Sequence, residues 1–313
     1  MKKGIVLLYL ISSLAHCSLV ARNAVAQQAE ENGVPVQMVV TVEGRHGAEA
    51  PEVGAKDVLV SEGRTRDKVL DWIPARGDHA ALQVFILIDD SSNQNVALQF
   101  DDVRNFINAQ PSSALIGIAY MQNGIARVAQ DLTGDRALAG KALRLPLGIR
   151  TINGNPYFAV SDLVKRWPKT NARRQILMVS SGIDPNYTSA DLLDPYLSSA
   201  IDAAQRAGIQ VSAIYTPSFG HYGHSYWRTY WGQMYLAEIA ERTGGEAYYI
   251  GMTGPPVSFA PYLKDFAERL NNQYLLTFAA RPGKKAGLRS VKVRTELPDV
   301  ELVAADSVWV PAP

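Results

Sequence analysis

Cysteine is almost absent from this chain: one residue, Cys17, in 313. It falls inside an N-terminal stretch with the form of an export leader. That stretch has Lys2-Lys3, an apolar run over residues 5–15 and a small-x-small cleavage site at Ala24-Val25-Ala26. Cleavage after Ala26 leaves a mature chain without cysteine, which excludes a disulfide framework, a thiolate zinc site and a cysteine nucleophile. The leader's apolar run is too short to span a bilayer and no later run is long enough, so no transmembrane segment is expected in the mature chain. The expected location is periplasmic or extracellular. Leu14-Ala15-His16-Cys17 has the outline of a lipidation signal, but His16 stands where a small residue should precede the cleaved bond, which argues against anchoring through Cys17.

Histidine is scarce as well, five in all with His16 among them, and none lies beside a recognisable nucleophile motif. Gly223-His224-Ser225-Tyr226-Trp227 lacks the second glycine of a nucleophile elbow. No Gly-x-Gly-x-x-Gly follows a strand-like run and no Gly-Lys-Ser/Thr occurs, so dinucleotide and P-loop signatures are missing. A surplus of either charge is also lacking. Of 31 Lys+Arg and 30 Asp+Glu, removal of Lys2, Lys3 and Arg22 leaves 28 against 30, a net charge near −2. Nothing in that balance suggests a nucleic-acid surface. An apolar share of 47% is that of a globular protein, and the length suits one large domain with a smaller appendage.

What the chain does have is an apolar run, Val84-Phe85-Ile86-Leu87-Ile88, that feeds straight into Asp89-Asp90-Ser91-Ser92-Asn93. This reads as a buried parallel strand carrying oxygen side chains to the end of a sheet, where open α/β sheets bind ligands. From residue 84 to 272, strand-like and helical patterns alternate, which predicts a doubly wound, mostly parallel sheet covered on both faces. Val96, Phe100, Val103 and Ile107 mark the first helix. Residues 115–121 and 125–129 form a hairpin across Gln122-Asn123-Gly124, and a helix is expected over 135–145. Asn155-Pro156 and Asp194-Pro195 each read as an N-cap followed by proline in the first helical position, the second helix stopping at Gly208. Strands are expected at 175–179, 210–215 and 246–250, with helices at 234–242 and through Phe259, Leu263, Phe266 and Leu270.

Both ends read as short strands: 36–42, 57–61 and 68–73 before the core, then 273–278, 289–295, 300–303 and 307–310 after it. Pairing the two sets gives a small β-sandwich-like unit interrupted by the α/β domain. The expected division is a leader at 1–26, an N-terminal β segment at 27–80, the α/β domain at 81–272 and a C-terminal β segment at 273–313.

On these segments the chain resembles a von Willebrand factor A (vWA) domain, and more closely the secreted VWFA-related proteins common in Acidobacteria. Residues 84–93 are similar to the family's strand followed by D-x-S-x-S, and 154–164 to the segment where a threonine opens a helix. Residues 176–184 are similar to the strand ending in T-D-G-x-D, and 236–249 and 57–73 give further matches. The resemblance implies a metal-ion-dependent adhesion site, in which hard oxygen ligands hold Mg²⁺ and a partner's acidic group completes the shell. Carried over, the ligand positions are Asp89, Ser91, Asn93 for a serine, Asn155 for the threonine, Ser181 for the aspartate, and Asp184 at the later acidic position. With neutral side chains at two of the key positions, the attraction for a divalent cation should fall sharply. The expectation is a degenerate site with no resident cofactor, Mg²⁺ being the ion it would take. Capping alone would also explain Asn155, Ser91 and Asn93.

Residues 216–233 read as a long loop rich in aromatics, Phe219, Tyr222, Tyr226, Trp227, Tyr230 and Trp231, with His221 and His224. Such a set suits a protein partner, or else a loop folded on itself or sealing a sheet edge; the two histidines alone make no convincing metal pair. The favoured function is a secreted, non-catalytic protein-binding module. The alternatives are an extracytoplasmic hydrolase or metal-dependent enzyme at the same sheet end, and a structural component of the cell envelope.

Overall fold

The computed structural model describes residues 33–45, 48–148, 154–185, 194–220 and 225–312. The leader with Cys17, and His221, Tyr222 and His224, lie outside the described residues.

The chain opens with β1 (Val34–Gly44), β2 (Leu59–Glu62), β3 (Thr65–Asp67) and β4 (Val69–Pro74). It then runs β5 (Leu82–Asp89), α1 (Phe100–Ala109), β6 (Ala114–Gln122), β7 (Ile125–Thr133), α2 (Arg136–Lys141) and α3 (Pro156–Arg166). Next come β8 (Arg173–Ser180), α4 (Pro195–Ala207), β9 (Ile209–Tyr215), α5 (Tyr226–Thr243), β10 (Ala247–Tyr248) and α6 (Ala260–Asn271). The chain closes with β11 (Gln273–Ala280), β12 (Gly287–Ser290), β13 (Lys292–Arg294), β14 (Val300–Ala304) and β15 (Ser307–Val310).

The central sheet has the order β10-β9-β8-β5-β6-β7, with every neighbouring pair parallel except the β6–β7 hairpin. Its middle strands are apolar on both faces because helices cover both faces. Phe85 and Leu87 pack with Val160, Leu163, Leu197 and Leu236 of α3, α4 and α5. Val84, Ile86 and Ile88, alternating with them along β5, pack with Phe100, Val103, Leu263 and Phe266 beside α1 and α6. Each such fully buried side chain contributes about 1.5–3 kcal/mol.

The termini build the second unit, as the strand pattern implies. β1 pairs with both β11 and β14, and β11 with β4, in one antiparallel sheet. Val40, Val60, Leu276, Phe278 and Leu302 fill its core. The strand expected over 289–295 is broken at buried Val291, whose amide donates to Asp306 O at 2.9 Å. β12 goes to β15 and β13 goes to β2, so one run serves two sheets.

Three other expectations change. The edge strand shrinks to β10, because Tyr249 turns to φ +62° immediately after it. The helix expected to Leu145 ends at Lys141, and Arg144 is drawn instead to Tyr120 and Asp90. α5 begins at Tyr226, eight residues ahead of Met234. Four of the six aromatics of the expected loop, Tyr226, Trp227, Tyr230 and Trp231, therefore stand on helix.

At the amino end of the parallel strands the two units are joined by buried polar groups. Arg173, at the start of β8, donates to Leu270 O at 2.7 Å and Gln273 Oε1 at 2.6 Å, and more distantly to Ala75 O and Ala80 O. Burial lowers its pKa to about 10. Gln175 and Gln273 both donate to Gln210 Oε1 at 2.8 Å, tying β8, β9 and β11 together.

Candidate functional site

β5 lies between β8 and β6, and the helices that follow β5 and β8 go to opposite faces of the sheet. A crevice outside the carboxyl ends follows from that reversal. Asp89 ends β5 there, buried, with both oxygens engaged. Oδ1 accepts from the Ser91 amide at 2.8 Å and the Ser91 hydroxyl at 2.7 Å, and Oδ2 from the Ser180 hydroxyl at 2.8 Å. Ser180, which the sequence did not single out, therefore makes the contact; its neighbour Ser181 is fully buried and accepts from the Ile183 amide at 3.4 Å.

Asn155 and Asp184 form the second group. Asn155 Oδ1 accepts from the amides of Tyr157 at 2.8 Å and Phe158 at 3.1 Å, so the residue is the N-cap of α3. With the oxygen committed, its Nδ2 donates to Asp184 Oδ2. Tyr157 Oη donates to Gly182 O at 2.8 Å, and burial pushes that phenol well above its ordinary range. Asn93 caps the short 3₁₀ turn over Gln94–Gln99 through the Asn95 amide at 3.0 Å.

A hard divalent ion needs a near-octahedral shell of oxygen acceptors. These residues in this arrangement do not fit one: Asp89 already accepts three hydroxyl and amide donors, and Asn155 turns an N–H₂ group toward Asp184. Among the described residues, no group of three or more His, Cys, Asp or Glu is placed to hold a metal. A cleft of about 140 Å³ opens here, lined by Asp89, Asp90, Ser91, Gln122, Leu147 and Gly154.

Asp90 has its own network, which nothing local in the sequence announces. Its carboxylate takes both ends of the Arg144 guanidinium at 2.7 Å each, the Leu147 amide at 3.0 Å and the Gln122 amide. Burial raises its pKa, but the hydrogen bonds from Arg144, Gln122 and Leu147 outweigh burial and leave it below the usual carboxylate range. The same pairing raises Arg144.

The segment after β9 is bound to this rim. Ser92 bridges Ser218, Phe219 N donates to Ser91 O at 3.0 Å, and Asn93 N to Pro217 O at 3.1 Å. α5 then packs so closely on the end of β8 that a Cβ on Gly182, at φ +67°, would lie 2.1 Å from Gly232 O. Both glycines are required by that approach. On the outer side of the first turns of α5, Tyr226, Trp227 and Tyr230 are 66%, 62% and 47% exposed, and Phe219 is 52% exposed. Tyr226 lies edge-on to Trp227 at 5.4 Å and parallel to Tyr230 at 6.5 Å. Trp231 turns inward against the core. Of the expected partner-binding set, four residues are exposed, one packs inward and Tyr222 lies outside the described residues.

No family model matches the chain, and no curated protein matches it. Among solved structures it is similar to an aerotolerance-related membrane protein from Bacteroides fragilis at 16% identity, over 61% of this chain and 98% of that one, with a TM-score of 0.41. It is also similar to the SpRpn10 VWA domain, at 14% identity over 60% and 94%, TM-score 0.35. The manganese-loaded TRAP protein of Plasmodium vivax is similar at 10% identity over 71% and 93%, TM-score 0.38. Likenesses of this size carry no argument about this chain, whose fold class rests on its own strand order. Among the described residues, no helix is long and apolar enough to cross a membrane.

Proposed function

We propose that this chain is an exported, non-catalytic vWA-like module that holds a protein partner at the carboxyl rim of its parallel sheet. In this reading the adhesion site is degenerate, its former ligands spent on holding the rim's turns. The observation that carries the reading is the aromatic set on α5: Tyr226, Trp227 and Tyr230 stand exposed and in ring contact with one another. Rings kept in water on a rigid helix supply large contact area at low entropic cost, which is how interface anchors work. The rigid base is the Gly182–Gly232 contact and the turn bound to Ser91 and Ser92.

The test is capture of partners from a cell-envelope extract by the mature chain and by a Tyr226→Ser, Trp227→Ser, Tyr230→Ser variant. Trp231 is left intact because it packs inward. The variant should melt within about 2 °C of the parent, since exposed substitutions change stability little, and should lose the captured protein. Undiminished recovery would remove the aromatic face from the reading. Turnover in a hydrolase screen, abolished by Ser225→Ala, would replace the non-catalytic part.

A further inference from the structure

The mismatch between the implied metal and the rim's donors has a counterpart in Asp90. A carboxylate offers about four lone-pair directions. Asp90 fills them with Arg144 Nη1 and the Leu147 amide on Oδ1, and Arg144 Nη2 and Gln122 on Oδ2. The guanidinium is held from its other side as well, lying 3.8 Å above the centre of the Tyr120 ring. Around this pair the backbone of 144–148 is bound to the sheet end. Arg144 N donates to Tyr120 Oη at 2.6 Å, Tyr120 Oη donates to Arg144 O at 3.0 Å, Gly148 N donates to Asp90 O at 2.9 Å, and Gln94 donates to Pro146 O at 3.2 Å.

The consequence is a segment displayed rather than buried. Leu145 and Leu147 are 60% and 52% exposed, and Leu147 lines the same cleft as Asp89. Two leucines facing water leave buried Pro146 as the apolar anchor within 144–148. Polar attachment to Asp90 and Tyr120 supplies the rest of what holds the segment.

We propose that the Arg144 guanidinium is the rim's own cation: bound to Asp90, it takes the electrostatic part of a divalent ion, holds residues 144–148 on the sheet end and makes the rim's shape independent of metal. This deepens the metal-free part of the function proposed above and rests on it. Arg144 is a positioning residue, acting through Asp90 and the backbone it fixes. A guanidinium suits the part because its planar fork matches a carboxylate with two parallel hydrogen bonds, which an ammonium cannot reproduce.

The experiment needs no partner, so its failure is distinct from failure of the capture test. Melting temperature and Mn²⁺ binding, the latter by electron paramagnetic resonance, are measured for the parent, Arg144→Lys and Arg144→Gln. The parent should neither bind Mn²⁺ nor change its Tm with Mn²⁺ or a chelator. Arg144→Gln, which leaves Asp90 beside Asp89 without the resident cation, should melt several degrees lower and regain part of the loss with Mn²⁺. Arg144→Lys should melt between the two and stay indifferent to the ion. Exchange of the Leu147 and Gly148 amides should quicken at least about tenfold in Arg144→Gln alone. A parent that binds Mn²⁺ overturns the proposal. So does an Arg144→Gln chain that is destabilised but indifferent to Mn²⁺, because that result leaves an ordinary ion pair. Should Arg144→Gln not fold in buffer, recovery on refolding only with Mn²⁺ supports the proposal, and failure with and without the ion overturns it.

Discussion

The two ends of the parallel sheet bury polar groups to opposite effect. At the amino end, Arg173, Gln175, Gln210 and Gln273 spend their hydrogen bonds on one another and on carbonyls of neighbouring segments, and the end is sealed against the terminal strands. At the carboxyl end, Asp89, Asp90, Asn155 and Asp184 spend theirs on turns and caps of the α/β unit itself. The large exposed rings stand at that end. Burying a polar group costs free energy unless it finds a partner. Who supplies the partner decides whether an end becomes a joint or a surface.

The sharpest way to break the comparison is Gly182→Ala. The added Cβ meets Gly232 O at 2.1 Å in a backbone conformation of φ +67°, so α5 must move; the expected loss is about 3–5 kcal/mol in urea unfolding. Hydrogen exchange should quicken in α5 and around Ser91 while the Arg173 joint keeps its protection. Equal loosening at both ends would show that they are one cooperative unit.

Arg173→Met addresses the other end. It leaves Leu270 O and Gln273 Oε1 short of a donor, partly offset by relief of a guanidinium whose Nε has no hydrogen-bond partner. The expected cost is about 2–4 kcal/mol. The terminal sheet should loosen first, with capture of the partner unaffected. A variant that loses capture but keeps its melting temperature would contradict the division of labour.

The smallest effect is in acid. The folded pKa of Asp90 lies below its ordinary value, so its contribution is fully present above the unfolded carboxylate pKa of about 3.9 and is lost as pH falls through the lower folded value. The stability gap between the parent and Asp90→Asn should stay constant from about pH 7 to pH 5 and close only below about pH 4. A gap already closing between pH 7 and pH 5 would mean that Asp90 is not ion-paired in solution.

Legibility in the sequence followed range. The caps at Asn155-Pro156 and Asp194-Pro195, and the stop at Gly208 with φ +63°, stand where the sequence places them, because each is a contact of two to four residues. The apolar runs of β5, β8 and β9 were equally readable. The start of α5 was not, because its first turns bury Thr229, Gly232 and Gln233 while Tyr226, Trp227 and Tyr230 face water, the reverse of an apolar stripe. Ser180 was overshadowed by Ser181, since alternation along a strand's end depends on where the strand stops. The pairing of Asp90 with Arg144 spans 54 positions and passes through a helix that ends early; no spacing rule reaches that far.

By itself, the chain's order of residues determined the periods of hydrophobicity, the caps and the turns, and with them a wound α/β core flanked by strands from both termini. Those are consequences of short-range sterics and of burying apolar faces. Only the tertiary structure decided which donors bind Asp89 and Asp90, which aromatic rings face water, and which end of the sheet is closed. Hydrogen bonds and ion pairs between distant segments depend on positions that exist only once the core has packed.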